Sequence, residues 1–369
     1  MAKRLPVTVI TGFLGAGKTT VLRHLLTRGG QRLAVMVNEF GSVGLDGDLI
    51  RSCGFCPEEE VDGRLVELNN GCLCCTVQDD FLPTMETLLE RADQLDGIVV
   101  ETSGLALPRP LLQALDWPAI RSRVHVNGVV TLVDGEALAA GSPVADAEAL
   151  ERQRAEDPSL DHLTAIDDLF EDQLQAADLV LISRADCLDA SAMAEVQGRI
   201  KDKVRPGTAL LPVSQGQVET SVVLGLDHKP TPQEAHTHHD NDHHDHDHHD
   251  HSHVDMVGSN VRVEGAFDRQ ALEQLLPSLV SNHQVVRLKG RVWLPSKTLP
   301  LQIQMVGPRL NSWFEAAPSH AWRPDQGCGA DLVVLALNEA AAPALESGLQ
   351  RLVQATPAKA SPAAATPES

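Results

Sequence analysis

The chain has 369 residues, a hydrophobic content of 43% and a formal net charge of -21. This length exceeds what one hydrophobic core usually organises, so we expect two domains joined by a linker. The charge excludes proteins that bind nucleic acid or anionic membranes through lysine and arginine, and no apolar run of about 20 residues could span a bilayer. Five of the seven cysteines lie between Cys53 and Cys75, a distribution typical of metal binding by reduced thiols in a cytoplasmic protein.

Six aliphatic runs in the first 225 residues predict buried parallel strands. They are Leu5–Thr11, Leu33–Val37, Ile98–Glu101, Val129–Val133, Leu179–Ser183 and Ala209–Val213. Helical patterns lie between these runs, as at Lys18–Arg28 and Leu169–Ala177. The alternation predicts right-handed βαβ crossovers, and therefore an α/β fold with a doubly wound, mainly parallel sheet.

The first predicted strand is followed by Gly-Phe-Leu-Gly-Ala-Gly-Lys-Thr at positions 12–19, which matches the phosphate-binding pattern G-x-x-x-x-G-K-[ST]. A strand before it and a helix after it are the context that a P-loop NTPase requires. Lys18 is expected to bridge the β- and γ-phosphates and Thr19 to ligate Mg²⁺, so both are predicted catalytic residues. The predicted phosphate-binding residues are Gly12, Gly15, Ala16, Gly17, Lys18, Thr19 and Thr20.

Three thiols occur within four residues, at Cys72, Cys74 and Cys75. Soft thiolates suit Zn²⁺, Co²⁺ or Cu⁺ in four-coordinate geometry. Side chains alternate along an extended segment, so Cys72 and Cys74 are expected on one side, with Cys75 joining if the backbone turns. The remaining ligand could come from Glu39, a partner subunit or solvent.

The other cysteines carry weaker signals. Cys53 and Cys56 form a C-x-x-C pair that fits either a second metal pair or a loop feature. Cys187 and Cys328 are isolated in the sequence, and we expect them to be structural.

Two later strands end in residues that suit a nucleotide site. Glu101 ends an apolar strand, as does the acid that holds Mg²⁺ in P-loop enzymes, and it is the third predicted catalytic residue. The Gly104 amide is placed to sense the γ-phosphate. Ser183 and Arg184 stand where GTPases commonly carry Asn-Lys, whereas the base-reading Asp186 is retained. The stem of Arg184 can pack on a purine as lysine does. The pattern favours guanine, with ATP as the alternative.

A His/Asp-rich stretch separates two folded parts of the sequence, and it has no apolar face to bury. We predict a P-loop domain over 1–225, a disordered linker over 226–258, an α+β domain over 259–354 and a disordered tail over 355–369. Ten linker histidines could bind metal weakly as accessory ligands. They are His236, His238, His239, His243, His244, His246, His248, His249, His251 and His253.

The motifs Gly12–Thr20, Val37–Gly41, Gly71–Cys75 and Glu101–Gly104, with the His-rich linker, resemble the CobW-type family of metal-handling P-loop GTPases. The similarity extends over both folded parts. Further similar stretches are Thr102–Pro108, Ala114–Pro118, Asp157–His162, Phe170–Leu174 and Met305–Arg309.

The resemblance implies a GTPase that binds Co²⁺ in its Mg-GTP state and releases it after hydrolysis. It also implies that Cys72 and Cys74 are the principal metal thiolates, with a cation ligand at Glu39. The implied client is the cobaltochelatase of cobalamin synthesis, and a nucleotide-dependent homodimer is a further expectation. Thiolate chemistry keeps open a zinc metallochaperone of the same family, because affinity alone favours Zn²⁺ over Co²⁺. The residues are also compatible with a passive, His-rich metal-storage protein or with an ATP-dependent activator of a metalloenzyme.

Overall fold

The computed structural model divides the chain into two compact units, 1–255 and 256–369. It describes residues 4–28, 30–38, 66–67, 73–76, 81–102, 104–146, 148, 150, 166–225 and 256–355. The predicted linker, apart from residues 256–258, and nearly all of the predicted tail lie outside these residues, so the predicted boundaries stay predictions. Among the residues that the structure describes, no helix has both the length and the apolar character needed to cross a membrane.

The first unit contains an eight-stranded sheet with the order β3-β4-β2-β5-β1-β6-β7-β8. Every neighbouring pair is parallel except β3 and β4. The strands are β1 (Leu5–Thr11), β2 (Leu33–Asn38), β3 (Val66–Glu67), β4 (Leu73–Thr76), β5 (Gly97–Thr102), β6 (Val124–Asp134), β7 (Leu179–Ser183) and β8 (Ala209–Pro212). The predicted doubly wound, mainly parallel sheet is confirmed.

Helices cover both faces of this sheet, as the aliphatic strands require. They are α1 (Lys18–Arg28), α2 (Phe81–Glu90), α3 (Pro108–Leu115), α4 (Gly135–Ala139), α5 (Ile166–Ala176), α6 (Ala190–Lys201) and α7 (Thr220–Leu224). One apolar cluster joins Met85 and Leu88 of α2 to Val7 and Val9 of β1. A second cluster joins α5 and α6 to Val180 and Ile182 of β7, and all five residues of β7 are buried.

The second unit is a five-stranded antiparallel sheet with the order β12-β11-β10-β13-β9. Its elements are β9 (Val257–Glu264), α8 (Arg269–Asn282), β10 (Val285–Trp293), β11 (Leu301–Val306), β12 (Arg309–Phe314), β13 (Gly329–Ala336) and α9 (Ala341–Ala355). Leu276 and Val280 of α8 and Leu345 and Leu349 of α9 are buried in one cluster with the sheet. The predicted smaller α+β domain is confirmed.

Candidate functional site

The phosphate-binding motif forms a glycine-rich loop between β1 and α1. Gly12, Gly15 and Gly17 have φ values of +135°, +76° and +94°, in the region that favours glycine. A Cβ on Gly12 would lie 2.3 Å from the carbonyl oxygen of Leu132, so the loop closes tightly against β6. The sequence therefore folds into the tight wrap that lets backbone amides surround an anion.

Lys18 begins α1 and turns its ammonium into this loop. The side chain is 8% exposed, and Nζ donates to the carbonyl oxygens of Gly12 at 2.8 Å and Phe13 at 3.1 Å. A buried ammonium beside a glycine-rich loop is the kind of donor that pairs with the negative charge of a phosphate chain.

The side chain of Thr19, in α1, contacts the side chain of Glu101, in β5. Thr19 Oγ1 donates to Glu101 Oε1 at 3.5 Å, and Glu101 is 6% exposed at the end of β5. The neighbouring Thr102 and Thr11 hydroxyls are bonded at 3.0 Å, which ties β5 to β1 beside the loop. A hydroxyl and a buried carboxylate side by side suit a hard divalent cation such as Mg²⁺.

The segment after β5 packs directly on the phosphate loop. A Cβ on Gly104 would lie 2.7 Å from the backbone nitrogen of Leu14, so only glycine fits there. Gln173 of α5 donates to the carbonyl oxygens of Gly104 at 3.1 Å and Ala106 at 3.3 Å. The predicted γ-phosphate sensor thus lies against the loop it is expected to serve.

The end of β7 lies on the side of the site where Asp186 was predicted to bind the nucleotide base. The Ser183 hydroxyl donates to the Val133 carbonyl at 3.2 Å, and its Cβ lies 3.6 Å from where a Cβ on Gly17 would stand. Asp186 is exposed in the short 3-10 turn Ala185–Cys187. Ser183 therefore abuts the phosphate loop, while Asp186 is open to a ligand.

Arg184 is held by one acid at the end of β6 and one in α4. It has a left-handed φ of +54°, and its Nη1 lies 2.9 Å from Asp134 Oδ2 and 3.5 Å from Glu136 Oε2. The other oxygen of Asp134 accepts from the Ala137 amide at 3.1 Å and caps α4. Asp134 was not predicted to belong to the site, because nothing in its local sequence links it to Arg184.

A loop after β8 also reaches the site and was missed. Gly216, with φ +72°, packs so closely on α1 that a Cβ would lie 2.8 Å from Thr20 Cγ2 and 3.0 Å from the Thr20 backbone carbon. Before it, the Val213 amide donates to Ile182 at 2.8 Å, which holds the loop at the end of β7. The Ser-Gln-Gly sequence after a predicted strand was the available signal.

The predicted metal ligands are described only in part. Cys74 and Cys75 lie in β4, of which the backbone is described, whereas Cys72 and Glu39 are outside the described residues. Val37 of β2 pairs on one side with Thr76 of β4 and on the other with Glu101 of β5. The cysteine strand is therefore two strands from the Glu101 strand, in matching register.

The ten linker histidines and the Cys53/Cys56 pair also fall outside the described residues. Where the structure describes the chain, no group of three or more His, Cys, Asp or Glu side chains could hold a metal ion. Cys187 and Cys328 are free thiols, and burial raises the pKa of the Cys328 thiol. This favours a neutral thiol at Cys328 over a metal-binding thiolate.

Comparison with known proteins gives two family matches. The family described as CobW/HypB/UreG, nucleotide-binding domain, matches residues 6–212. The family described as Cobalamin synthesis protein cobW C-terminal domain matches residues 256–353. The two matches correspond to the two folded units.

Individual relatives agree with these matches. A Pseudomonas aeruginosa protein named Zinc chaperone CobW is 46% identical over 342 residues, covering 90% of this chain and 87% of that protein. A Sinorhizobium protein of the same name is 41% identical over 365 residues, covering 95% and 98%. Among solved structures, Zn(II)-bound YjiA GTPase from E. coli aligns over 95% of this chain and 99% of its own, with 20% identity and a TM-score of 0.42.

Proposed function

The chain belongs to the CobW/HypB/UreG family of metal-handling P-loop GTPases, and on that premise we propose that it carries Zn²⁺ in its GTP-bound state and releases it after hydrolysis. Zn²⁺ replaces Co²⁺ as the first choice of cargo for two reasons. Both relatives that cover most of the chain are named zinc chaperones. Thiolate ligands also bind Zn²⁺ more strongly than Co²⁺.

The observation that carries the proposal is the shared register of β4, β2 and β5. The backbone pairs Thr76–Val37 and Val37–Glu101 form one row across the sheet. Two strand spacings amount to about 10 Å, so the cysteine strand and the strand of the predicted Mg²⁺ acid are near neighbours. A conformational change at the end of β4 can therefore reach the end of β5 through β2 alone.

The nucleotide side of the mechanism rests on four residues in the proposed roles. Lys18 would bind the β- and γ-phosphates, and the Gly104 amide would sense the γ-phosphate. Thr19 and Glu101, 3.5 Å apart, would hold Mg²⁺, which neutralises phosphate charge when bound. Lys18 and Glu101 are buried, which keeps water from competing with them for the phosphate and its cation.

The base side rests on Arg184 and Asp186. Exposed Asp186 would accept two hydrogen bonds from guanine, an arrangement for which adenine lacks the donors. The stem of Arg184 would pack on the purine face. ATP is the rival nucleotide for this pocket.

On the metal side, Cys72, Cys74 and Cys75 would supply thiolates and Glu39 a further ligand. GTP would order the segments around Glu39 and the cysteines, and loss of the γ-phosphate would relax them. By linkage, a ~100-fold tighter metal affinity with GTP requires ~3 kcal/mol of coupling and an equal effect of metal on GTP.

Co²⁺ is the second candidate cargo, with cobaltochelatase as its client. The observation in its favour is the description of the C-terminal family as a cobalamin synthesis protein.

A nucleotide-dependent homodimer would complete the coordination if three ligands come from one chain.

The test is a titration of the purified chain with Zn²⁺ and with Co²⁺, each in the presence of a GTP analogue, GDP or no nucleotide. The proposal expects tighter binding with the GTP analogue, and a Cys72→Ser, Cys74→Ser variant should lose it. Cys328→Ser, in the second unit, is the matched control and should leave the titration unchanged. Metal affinity that does not depend on nucleotide would refute the proposal.

A further inference from the structure

Gln173 is a buried polar side chain on the otherwise apolar inner face of α5. It is fully buried at 0% exposure, and Leu169, Phe170 and Leu174 of the same helix are also buried. An amide at such a position costs more desolvation than leucine or methionine would. Its presence calls for a compensating contact.

The compensating contact is with the segment after β5. Gln173 Nε2 donates to the carbonyl oxygens of Gly104 and Ala106 at 3.1 Å and 3.3 Å. Its Oε1 is buried and has no hydrogen-bond partner among the residues that the structure describes. Only the donor half of the amide is therefore satisfied, and its partners are two carbonyls of one segment.

Helix α5 contacts the phosphate loop as well as this segment. The rings of Phe170 and Phe13 stack with centroids 5.9 Å apart, and Phe13 lies within the loop. Gly104 in turn packs on the backbone nitrogen of Leu14, where a Cβ would come within 2.7 Å. One helix thus touches both backbone segments that would surround the terminal phosphate.

We propose that Gln173 is a positioning residue that holds the Gly104–Ala106 segment where the Gly104 amide reaches the γ-phosphate. Through this contact α5 distinguishes GTP from GDP, because only GTP offers the amide an acceptor. The inference rests on the proposed nucleotide site and adds to it the element that fixes its γ-phosphate sensor.

The test compares Gln173→Met with the wild type in the full chain, using a GTP analogue and GDP. Methionine keeps the volume and removes the donor. We expect a ~10-fold loss of affinity for the GTP analogue and a comparable fall in kcat, with GDP affinity within ~2-fold of wild type. Gln175→Met is the matched control, because Gln175 lies on the exposed face of the same helix and bonds to Arg109.

Equal losses for GDP and the GTP analogue would overturn the inference, because a purely structural role affects both nucleotides alike. Unchanged affinities and kcat would overturn it too. GDP binding also reports whether the loop is folded. If Gln173→Met fails to bind GDP, Gln173→Asn, which keeps the amide but withdraws it by one methylene, takes its place under the same criteria. A wild-type chain that binds neither nucleotide would instead refute the proposed function.

Discussion

Asp134 and Arg184 form an ion pair of 2.9 Å between the ends of two neighbouring parallel strands. The Asp134 side chain is only 2% exposed, whereas Arg184 is 42% exposed. A buried carboxylate thus anchors one end of a guanidinium whose other side faces solvent. The pair orients Arg184 before any ligand arrives, which would lower the entropy cost of the base packing proposed for it.

Asp134→Asn tests this orientation. Asparagine can still accept from the Ala137 amide and cap α4, but it no longer pairs with Arg184. For a partly exposed pair we expect a loss of about 1 kcal/mol, or ~5-fold in GTP affinity, measured by equilibrium titration. Glu136→Gln, at an exposed acid 3.5 Å from the same guanidinium, should change affinity less than ~2-fold. Equal effects of the two substitutions would contradict a specific role for Asp134.

Gly216→Ala should weaken nucleotide binding through α1. The new Cβ would lie only 2.8 Å from Thr20 Cγ2. Thr20 is next to the proposed Mg²⁺ ligand Thr19. Because a φ of +72° adds backbone strain, we expect GDP to bind ~30-fold more weakly, a loss of about 2 kcal/mol of binding free energy.

Gly141→Ala is the matched control for this substitution. It has a similarly unfavourable φ of +98°, but its Cβ would meet no atom within 4 Å. It should lower the unfolding temperature and leave GDP affinity unchanged. A similar loss of affinity in both variants would show that backbone strain, and not contact with α1, is responsible.

The sequence predicted those parts of the site that depend on contiguous residues. The phosphate loop is a local motif, and the bounds of β1, α1 and β7 were predicted to the residue. Asp134 and Gly216 escaped prediction because only the strand order brings Asp134 to Arg184 and Gly216 to Thr20 of α1. Short strands such as β3 and β4 carry too few residues for a periodic pattern.

In the second unit, two elements carry little sequence signal for compositional reasons. The helix Ala341–Ala355 is rich in alanine and has a proline in its first turn, so its composition is close to that of the tail that follows. Proline is tolerated there because early helix amides have no intrahelical acceptor. The strand Arg309–Phe314 has no buried residue, so it lacks the alternation that marks a half-buried strand.

Glu273 is expected to stabilise the second unit in a way that is lost at low pH. Burial acts to raise its pKa, but hydrogen bonds from the Ser312 hydroxyl and the Arg269 guanidinium outweigh it, so the pKa lies below its ordinary value. Because the pKa is lower in the folded state, ionised Glu273 stabilises the fold at pH values above the unfolded pKa of about 4.3. This stabilisation is lost as the pH falls through the folded-state pKa.

Glu273→Gln should therefore cost about 0.5–1 kcal/mol of unfolding free energy at pH 7 and almost nothing below both pKa values. Denaturant unfolding of the full chain, followed by tryptophan fluorescence, measures this, because three of the four tryptophans, Trp293, Trp313 and Trp322, lie in the second unit. Glu346→Gln on α9, an exposed acid bonded to Gln350, should show no pH-dependent difference. A penalty that persists at low pH would point to packing and not to charge.

Removal of the linker histidines separates a nucleotide-coupled carrier from a passive store. Deleting residues 236–253 should abolish the weak, multi-site part of a Zn²⁺ titration, because all ten of the predicted accessory ligands are lost. The tight site should keep its preference for the GTP analogue over GDP, since its proposed ligands precede the deletion. A second variant with all ten histidines changed to serine retains the linker length and should behave alike. Loss of the nucleotide-dependent site in both variants would show that the linker histidines, and not the cysteines, supply its ligands. Its loss in the deletion alone would show that the site needs the linker length. A wild-type chain with only the weak, nucleotide-independent sites would be a passive store.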